Sequence, residues 1–497
     1  MKVLLIRPPA VSFKIHPALI MNEPLGLLYL AAYLRKNGVE VAVIDGFASN
    51  NLFQMGEFYA RGISYEELSK KIAAFSPDIV GIGHAFTQYS KGTHDLARIV
   101  KDISKDILVV CGGQAASASF QEILNNPNFD LVVVGEGEET LLEVVRKFEN
   151  KSSLQDIAGT AVKVGNQIKC NSLREFIKDL DTLELPARDL LDMSQYYNDP
   201  YSVEKAMRYP RLSIVTSRGC PFNCVFCSIH SIWRHTYRAR SAENVVDEIE
   251  YLCKDYGAKE IIFYDDNMTF DKTRMNRICD EIVGRKIDIR WSTPNGVAIW
   301  TLDKDTLKNM RRSGCYKITF GLESGSPVTR RFIHKDFIDL SQAKELIKFC
   351  NKIGLWTLSS FIIGFPYETK TDVAQTLNFA IDSDVDVATF YAASPYPGTE
   401  LYNICKREGL FKGFNEEDFE KWVASNGEAM LDMQNLSKED IDFLVLDLKK
   451  KFFKARFFSF LNPLRIIRKI DSIESLKYVF RMLKSYLPFL KSVFVNS

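Results

Sequence analysis

What the chain lacks narrows its class before any motif is read. Its 497 residues carry almost no net charge, 64 Lys and Arg against 63 Asp and Glu. That balance argues against general nucleic-acid binding, which calls for a strongly basic domain. No apolar run is long enough to cross a bilayer. The opening run Met1-Lys2-Val3-Leu4-Leu5-Ile6-Arg7 reads as a strand and not as a signal peptide. The 10 cysteines, spread through so long a chain, do not form a disulfide framework. Together these absences predict a cytoplasmic protein in a reducing compartment. What is plentiful is apolar surface: 46% hydrophobic residues suffice for sizeable cores, and the length predicts two or three domains.

Three of the cysteines are not scattered. Cys220, Cys224 and Cys227 stand in C-x3-C-x2-C spacing inside Ser217-Arg218-Gly219-Cys220-Pro221-Phe222-Asn223-Cys224-Val225-Phe226-Cys227. Thiolates are soft donors, and cysteines bunched this tightly usually hold a metal or an iron–sulfur cluster. No fourth cysteine follows nearby, so a four-iron cube held here keeps one iron open. An open iron suits a small chelating ligand better than electron transfer alone. The competing reading is a structural zinc site, which needs a fourth ligand such as His230.

The run resembles the signature of the radical S-adenosylmethionine (SAM) enzymes, down to the aromatic Phe226 before the last cysteine. The resemblance implies a 4Fe-4S cluster on Cys220, Cys224 and Cys227 that chelates SAM through its open iron. One electron, from an external donor of the flavodoxin or ferredoxin type, then cleaves SAM to a 5′-deoxyadenosyl radical. From about 206 to 400, strand and helix patterns alternate, with polar residues following the strands. This predicts a partial (β/α)6 barrel with its chemistry at the strand C-termini. The resemblance places SAM contacts at Asp265 and Asp266 of the Asp-Asp-Asn run, at Glu323 and Ser324 of Gly-Leu-Glu-Ser-Gly, and at Gly364 and Pro366 of Gly-Phe-Pro. The plainer reading of each polar residue is a helix N-cap. Tyr391, Tyr396, Trp291 and Trp300 are candidates for a substrate pocket or for the core. Cys253, Cys279, Cys315, Cys350 and Cys405 read as small buried hydrophobes. No catalytic residue beyond the cluster cysteines is singled out.

Residues 1–150 show the same alternation with continuous apolar strands, which predicts a doubly wound, Rossmann-like parallel sheet. Its strand ends carry small and polar residues. With the helix pattern Pro24–Ala32 and the run Gly135-Glu136-Gly137-Glu138-Glu139-Thr140, they resemble the cobalamin-binding domain that precedes many radical SAM cores. The resemblance implies cobalamin contacts at His84, Thr87, Gly112, Gly113, Gln114, Gly135, Glu136, Gly137 and Thr140. The Asp-x-His-x-x-Gly motif that would supply an imidazole to cobalt is absent; His16 and His84 lie in loops after strands.

Residues 151–205 read as a linker containing a hairpin turned at Gly165-Asn166. Residues 401–497 read as a helical region, with an aromatic cap over Phe411–Trp422 and a helix started by Ser437. From Lys449 onward, twelve Lys and Arg face only Asp471 and Glu474, and twelve less two leaves +10. Phenylalanine and aliphatic residues are interleaved, a pattern suited to an anionic membrane surface and hence to a lipid substrate. The functional expectation is a cobalamin-dependent radical SAM enzyme that methylates an unactivated carbon of a small molecule or lipid. A cyclase without methyl transfer and a non-catalytic cobalamin or cluster sensor are the alternatives.

Overall fold

The computed structural model describes residues 1–12, 21–55, 58–198, 205–412, 428–460 and 462–494. The chain forms two compact units. One comprises residues 1–199, 227–238 and 395–426; the other comprises 200–226, 239–394 and 427–497.

The first unit is built on a seven-stranded sheet: β1 (Lys2–Arg7), β2 (Glu40–Asp45), β3 (Ile79–Gly83), β4 (Leu108–Gly112), β5 (Leu131–Val133), β6 (Thr160–Val164) and β7 (Gln167–Cys170). Their spatial order is 7-6-5-4-3-1-2. β1 to β5 pair in parallel, and β6 and β7 are antiparallel. Period-2 alternation divides the parallel strands between two cores. Val3, Leu5, Val110 and Leu131 pack with helices Leu25–Lys36 and Glu138–Glu149; Leu4, Ile6, Val109 and Val132 pack with Tyr65–Phe75 and Ser90–Ile103. Helices therefore cover both faces, as burying such strands requires. The 2-1-3-4-5 order puts the switch point between β1 and β3, and ligands of doubly wound sheets bind at the strand C-termini there.

Two features differ from the sequence reading. The predicted hairpin exists, but it extends the sheet, so the stretch up to 198 folds with the first unit. A small sheet of Ala10–Ser12, Leu52–Met55 and Phe58–Arg61 was not expected. Its strands are too short to carry a readable period. His16 and nearly all of the predicted Phe411–Trp422 cap lie outside the described residues.

The second unit contains β8 (Arg211–Ile214), β9 (Glu260–Phe263), β10 (Arg290–Val297), β11 (Cys315–Glu323), β12 (Trp356–Ile363) and β13 (Val387–Ala392). They stand in sequential order, every pair parallel, forming the six-stranded partial barrel. Crossover helices begin where a side chain caps them: Ser241, Asp271, Asp303, Asp339 and Thr369 each accept a first-turn N–H. Trp291 is core, fully buried with Nε1 donating to the Ser313 carbonyl at 3.1 Å. Cys279, Cys315, Cys350 and Cys405 are buried, whereas Cys253 is only half-buried.

Helices Lys438–Phe460, Pro463–Ile467 and Ile473–Phe494 complete this unit, and Ser437 caps the first by accepting from Asp440 N at 3.1 Å. None of the helices searched is long and apolar enough to cross a membrane. They are tied to the barrel through Asp386, just before β13. Its carboxylate accepts from Thr357 N at 2.8 Å, from Arg465 at 2.7 Å and from the fully buried Lys469 ammonium. Removing one partner of a buried pair leaves the other undercompensated. Lys469→Met should therefore cost about 3 kcal/mol of stability; a thermal unfolding midpoint equal to that of the unaltered protein would contradict this role.

Candidate functional site

Residues Asp265, Asp266 and Asn267 follow β9, on the side where the barrel strands end. Asp265 is buried and already satisfied: Thr216 N, Thr216 Oγ1 and Ser217 Oγ donate to its Oδ1 at 3.1, 2.7 and 2.5 Å. It fastens the chain just ahead of the cysteine loop. Asp266 accepts from Gly219 N at 2.9 Å, and burial pushes its carboxyl up to about 7, with Asp265 adding to the effect. Neither caps a helix; that role falls to Asp271. Asn267 Nδ2 donates to Cys220 Sγ at 3.6 Å.

Cys220, Cys224 and Cys227 are each half-buried and free of disulfides. Burial pushes the Cys220 and Cys224 thiols up, and the Lys335 ammonium pulls both back. Among the described residues no three His, Cys, Asp or Glu side chains are placed to hold one metal ion. His230 has Nδ1 2.7 Å from the Arg234 carbonyl and its ring stacked on His235. Three soft thiolates without a fourth suit a cluster with one open corner.

Glu323 ends β11 in the left-handed region, at φ 66°. Its two carboxylate oxygens face Lys335 Nζ at 3.2 Å and Ser360 Oγ at 3.4 Å. Ser324 is fully buried, with its hydroxyl 3.0 Å from Thr376 Oγ1 and accepting from Ser326 N. The cap of the next helix is Ser326, not Ser324. Gly364 N donates to Glu368 at 2.6 Å, and Thr329 Oγ1 donates to the other oxygen at 3.0 Å. Glu368 thus folds the turn carrying Gly364 and Pro366. Sequence reasoning passed over Lys335 and Glu368; the latter stood two residues beyond a run already noted. Asn267 Oδ1, Thr293 Oγ1 and Trp300 Nε1 are buried without partners among the described residues. Buried polar atoms normally pair, so these three fit a polar ligand such as SAM.

In the first unit, the loops after β3 and β4 border a cavity lined by Phe86, Thr87, Gln88, Gln114, Ala118 and Tyr396. Gln114 Nε2 donates to Ser228 Oγ at 2.7 Å. A Cβ on Gly113 would fall 2.6 Å from the His84 carbonyl oxygen at φ +122°, so only glycine lets these backbones meet. Gly112 has only ordinary contacts, 3.6 Å to Val133. Thr87 and Gln114 face the cavity, but several other predicted contacts point inward. His84 is 1% exposed, its Nε2 3.1 Å from Ser90 Oγ, and burial holds its pKa down near 3. Glu136 accepts from Arg238 at 2.9 Å and from Ile177 N at 2.9 Å. Thr140 is fully buried and bonds the Glu136 carbonyl. Gly135 accommodates φ +89°, and a Cβ on Gly137 would meet Leu30 at 2.9 Å. These residues shape the loop from within. Thr87, Gln88 and Gln114 put polar groups beside the aromatic rings of Phe86 and Tyr396, a mixed lining that fits a large organic cofactor.

The radical SAM superfamily model matches residues 214–380, and the B12 binding domain model matches residues 21–145. An uncharacterized methyltransferase of Pyrococcus horikoshii is 36% identical over 418 residues, covering 84% of this chain and 85% of the relative. Cytidylyl-2-hydroxyethylphosphonate methyltransferase of Streptomyces wedmorensis is 30% identical, covering 82% of each chain. An anaerobic magnesium-protoporphyrin IX monomethyl ester cyclase of Cereibacter sphaeroides is 29% identical over 68% of this chain and 55% of the relative. Among solved structures, the radical SAM methyltransferase TsrM of Kitasatospora setae shares the fold, with a TM-score of 0.67 at 19% identity, over 82% of this chain and 76% of that one.

Burial raises the Glu368 carboxyl to about 7, above its ordinary 4.5. The folded state thus binds a proton that the unfolded state has released across that interval. Stability should fall as pH rises from about 4.5 to about 7, by linkage. Glu368→Gln cannot titrate, so its thermal midpoint should change less between pH 5 and pH 7; an unaltered pH slope would refute the assignment.

Proposed function

The chain belongs to the cobalamin-dependent radical SAM enzymes, and on that footing we propose that it methylates an unactivated carbon of a small-molecule or lipid substrate. The observation that carries the methyl-transfer reading is the match to a methyltransferase along 85% of that relative's length, through both domain types. When bound, the cofactors supply the hard chemistry: one-electron cleavage of SAM to a 5′-deoxyadenosyl radical, and a methyl group carried on cobalamin.

The chain's own part is binding, orientation and exclusion of water. Cys220, Cys224 and Cys227 would hold the cluster. Asp265 keeps Thr216 and Ser217 in place ahead of that loop. Glu323, fixed by Lys335 and Ser360, is suited to accept from paired ribose hydroxyls. Asp266 is the better candidate for the SAM ammonium, because Asp265 is already satisfied by the protein. The buried Gly364–Pro366 turn, held by Glu368, would stand near the adenine. Thr87 and Gln114 line the cavity offered to cobalamin. No general base is needed in this scheme. An external flavodoxin- or ferredoxin-type donor supplies the electron.

The cyclase relative supports a second reading, radical ring formation without methyl transfer. One assay separates the two. Anaerobically reconstituted enzyme, candidate substrate and methyl-labelled SAM should give labelled product, whereas label absent from a converted product favours cyclisation. Cys220→Ala, Cys224→Ala and Cys227→Ala should each abolish SAM cleavage and lower bound iron.

The lipid branch rests on the C-terminal helix, where Ile473, Leu476, Phe480 and Leu483 are exposed at helical spacing beside exposed Lys477 and Lys484. The full-length protein should sediment with phosphatidylserine-containing vesicles at low salt and much less with phosphatidylcholine alone. No sedimentation with either vesicle would remove the support for a lipid substrate.

A further inference from the structure

We propose that Lys335 is a positioning residue that sets the reduction potential of the cluster on the cysteine loop, with Glu323 as its opposing charge. The inference rests on the assignment of Cys220, Cys224 and Cys227 as cluster ligands.

Lys335 follows helix Pro327–Phe332, more than a hundred residues beyond the cysteines, and nothing in the sequence near it suggests a role. Its side chain is only 7% exposed. Nζ donates to the Gly321 carbonyl at 2.9 Å and to Glu323 Oε1 at 3.2 Å. The ammonium also lies 5.7 Å from the ring centre of Phe226 and 5.6 Å from that of Trp300. Phe226 immediately precedes Cys227, and Trp300 packs edge-on against Phe222 between Cys220 and Cys224, at 5.1 Å. The charge is thus screened from water by rings belonging to the cysteine loop or touching it.

A buried ion pair is a weak source of stability, since desolvation offsets the attraction. Its placement says more. The ammonium stands over Phe226, the residue before Cys227, and Glu323 Oε1 lies 3.2 Å from that ammonium, so both charges sit beside the cysteine loop. Fixed charges in a water-poor setting act more strongly than in bulk solvent. One-electron reduction adds negative charge to the cluster, and local charge and solvent exposure are among the levers on its potential. The ammonium stabilises the reduced form; the carboxylate opposes it. Glu323 is held in a left-handed conformation that a non-glycine residue rarely adopts, and Lys335 is one of the groups that hold it.

The test is a reductive titration of the full-length, anaerobically reconstituted protein, with dithionite as reductant and the cluster's paramagnetic resonance signal as readout. Lys335→Gln should move the midpoint to a more negative potential, and Lys335→Arg should leave it near the original. Glu323→Gln should move it the other way, to a more positive potential. A purely structural pair would not produce opposite shifts. Midpoints that stay fixed, or move the same way in both neutralised variants, overturn the proposal. If Lys335→Gln fails to assemble, an unmoved midpoint in Glu323→Gln overturns it alone. Absence of a four-iron signal and of bound iron and sulfide in the unaltered protein would instead remove the underlying cluster assignment.

Discussion

Two adjacent carboxylates at the end of one strand hold the entrance to the cysteine loop. Asp265 gathers a backbone N–H and two hydroxyls from Thr216 and Ser217, and Asp266 takes the N–H of Gly219. Three of the four residues ahead of Cys220 are thereby tied to the loop after β9. Asp265 is removed from water, so its contacts act in a low-dielectric setting. A loop of small and apolar residues has few contacts of its own with which to fix three sulfurs. The strand end supplies that order instead.

The same division of labour recurs through the second unit. Residues at the strand ends serve first to shape backbone: Ser324 and Ser326 brace one turn, and Glu368 closes another. In the first unit, Glu136 and Thr140 brace the loop between β5 and its helix, while Gly113 lets two backbones meet. Polar residues near the site therefore fall into two sets. Those already satisfied by the protein build the frame. Those with spare capacity, Asn267, Thr293 and Trp300 among them, are open to a ligand.

Much of this frame was legible in the sequence because it rests on local signals. Alternating apolar runs and helical patterns gave the strand–helix order of both large sheets, although β8, just ahead of the cysteine loop, was not read as a strand. The C-x3-C-x2-C spacing marked Cys220, Cys224 and Cys227 as a candidate metal or cluster site without any fold. What was not legible depends on contacts between distant residues. Asp265 and Asp266 look alike as neighbours, and only Thr216 and Ser217 distinguish them. His84 reads as a loop histidine, yet it turns inward to Ser90. Lys335 belongs to no motif at all. The hairpin at 160–170 was expected, but joining an otherwise parallel sheet through β5 is a tertiary event with no local mark.

That hairpin leaves β7 as an outer strand, with unpaired backbone donors and acceptors along one side. Such edges invite another chain to add on and are a common origin of aggregation. Here Gln167, Lys169 and Cys170 are exposed and Lys169 pairs with Asp156 at 2.6 Å, so an incoming strand would have to bury charge. The hairpin thus works as a guard rail, covering the β5 edge of a hydrophobic parallel sheet with an outer strand that carries charge.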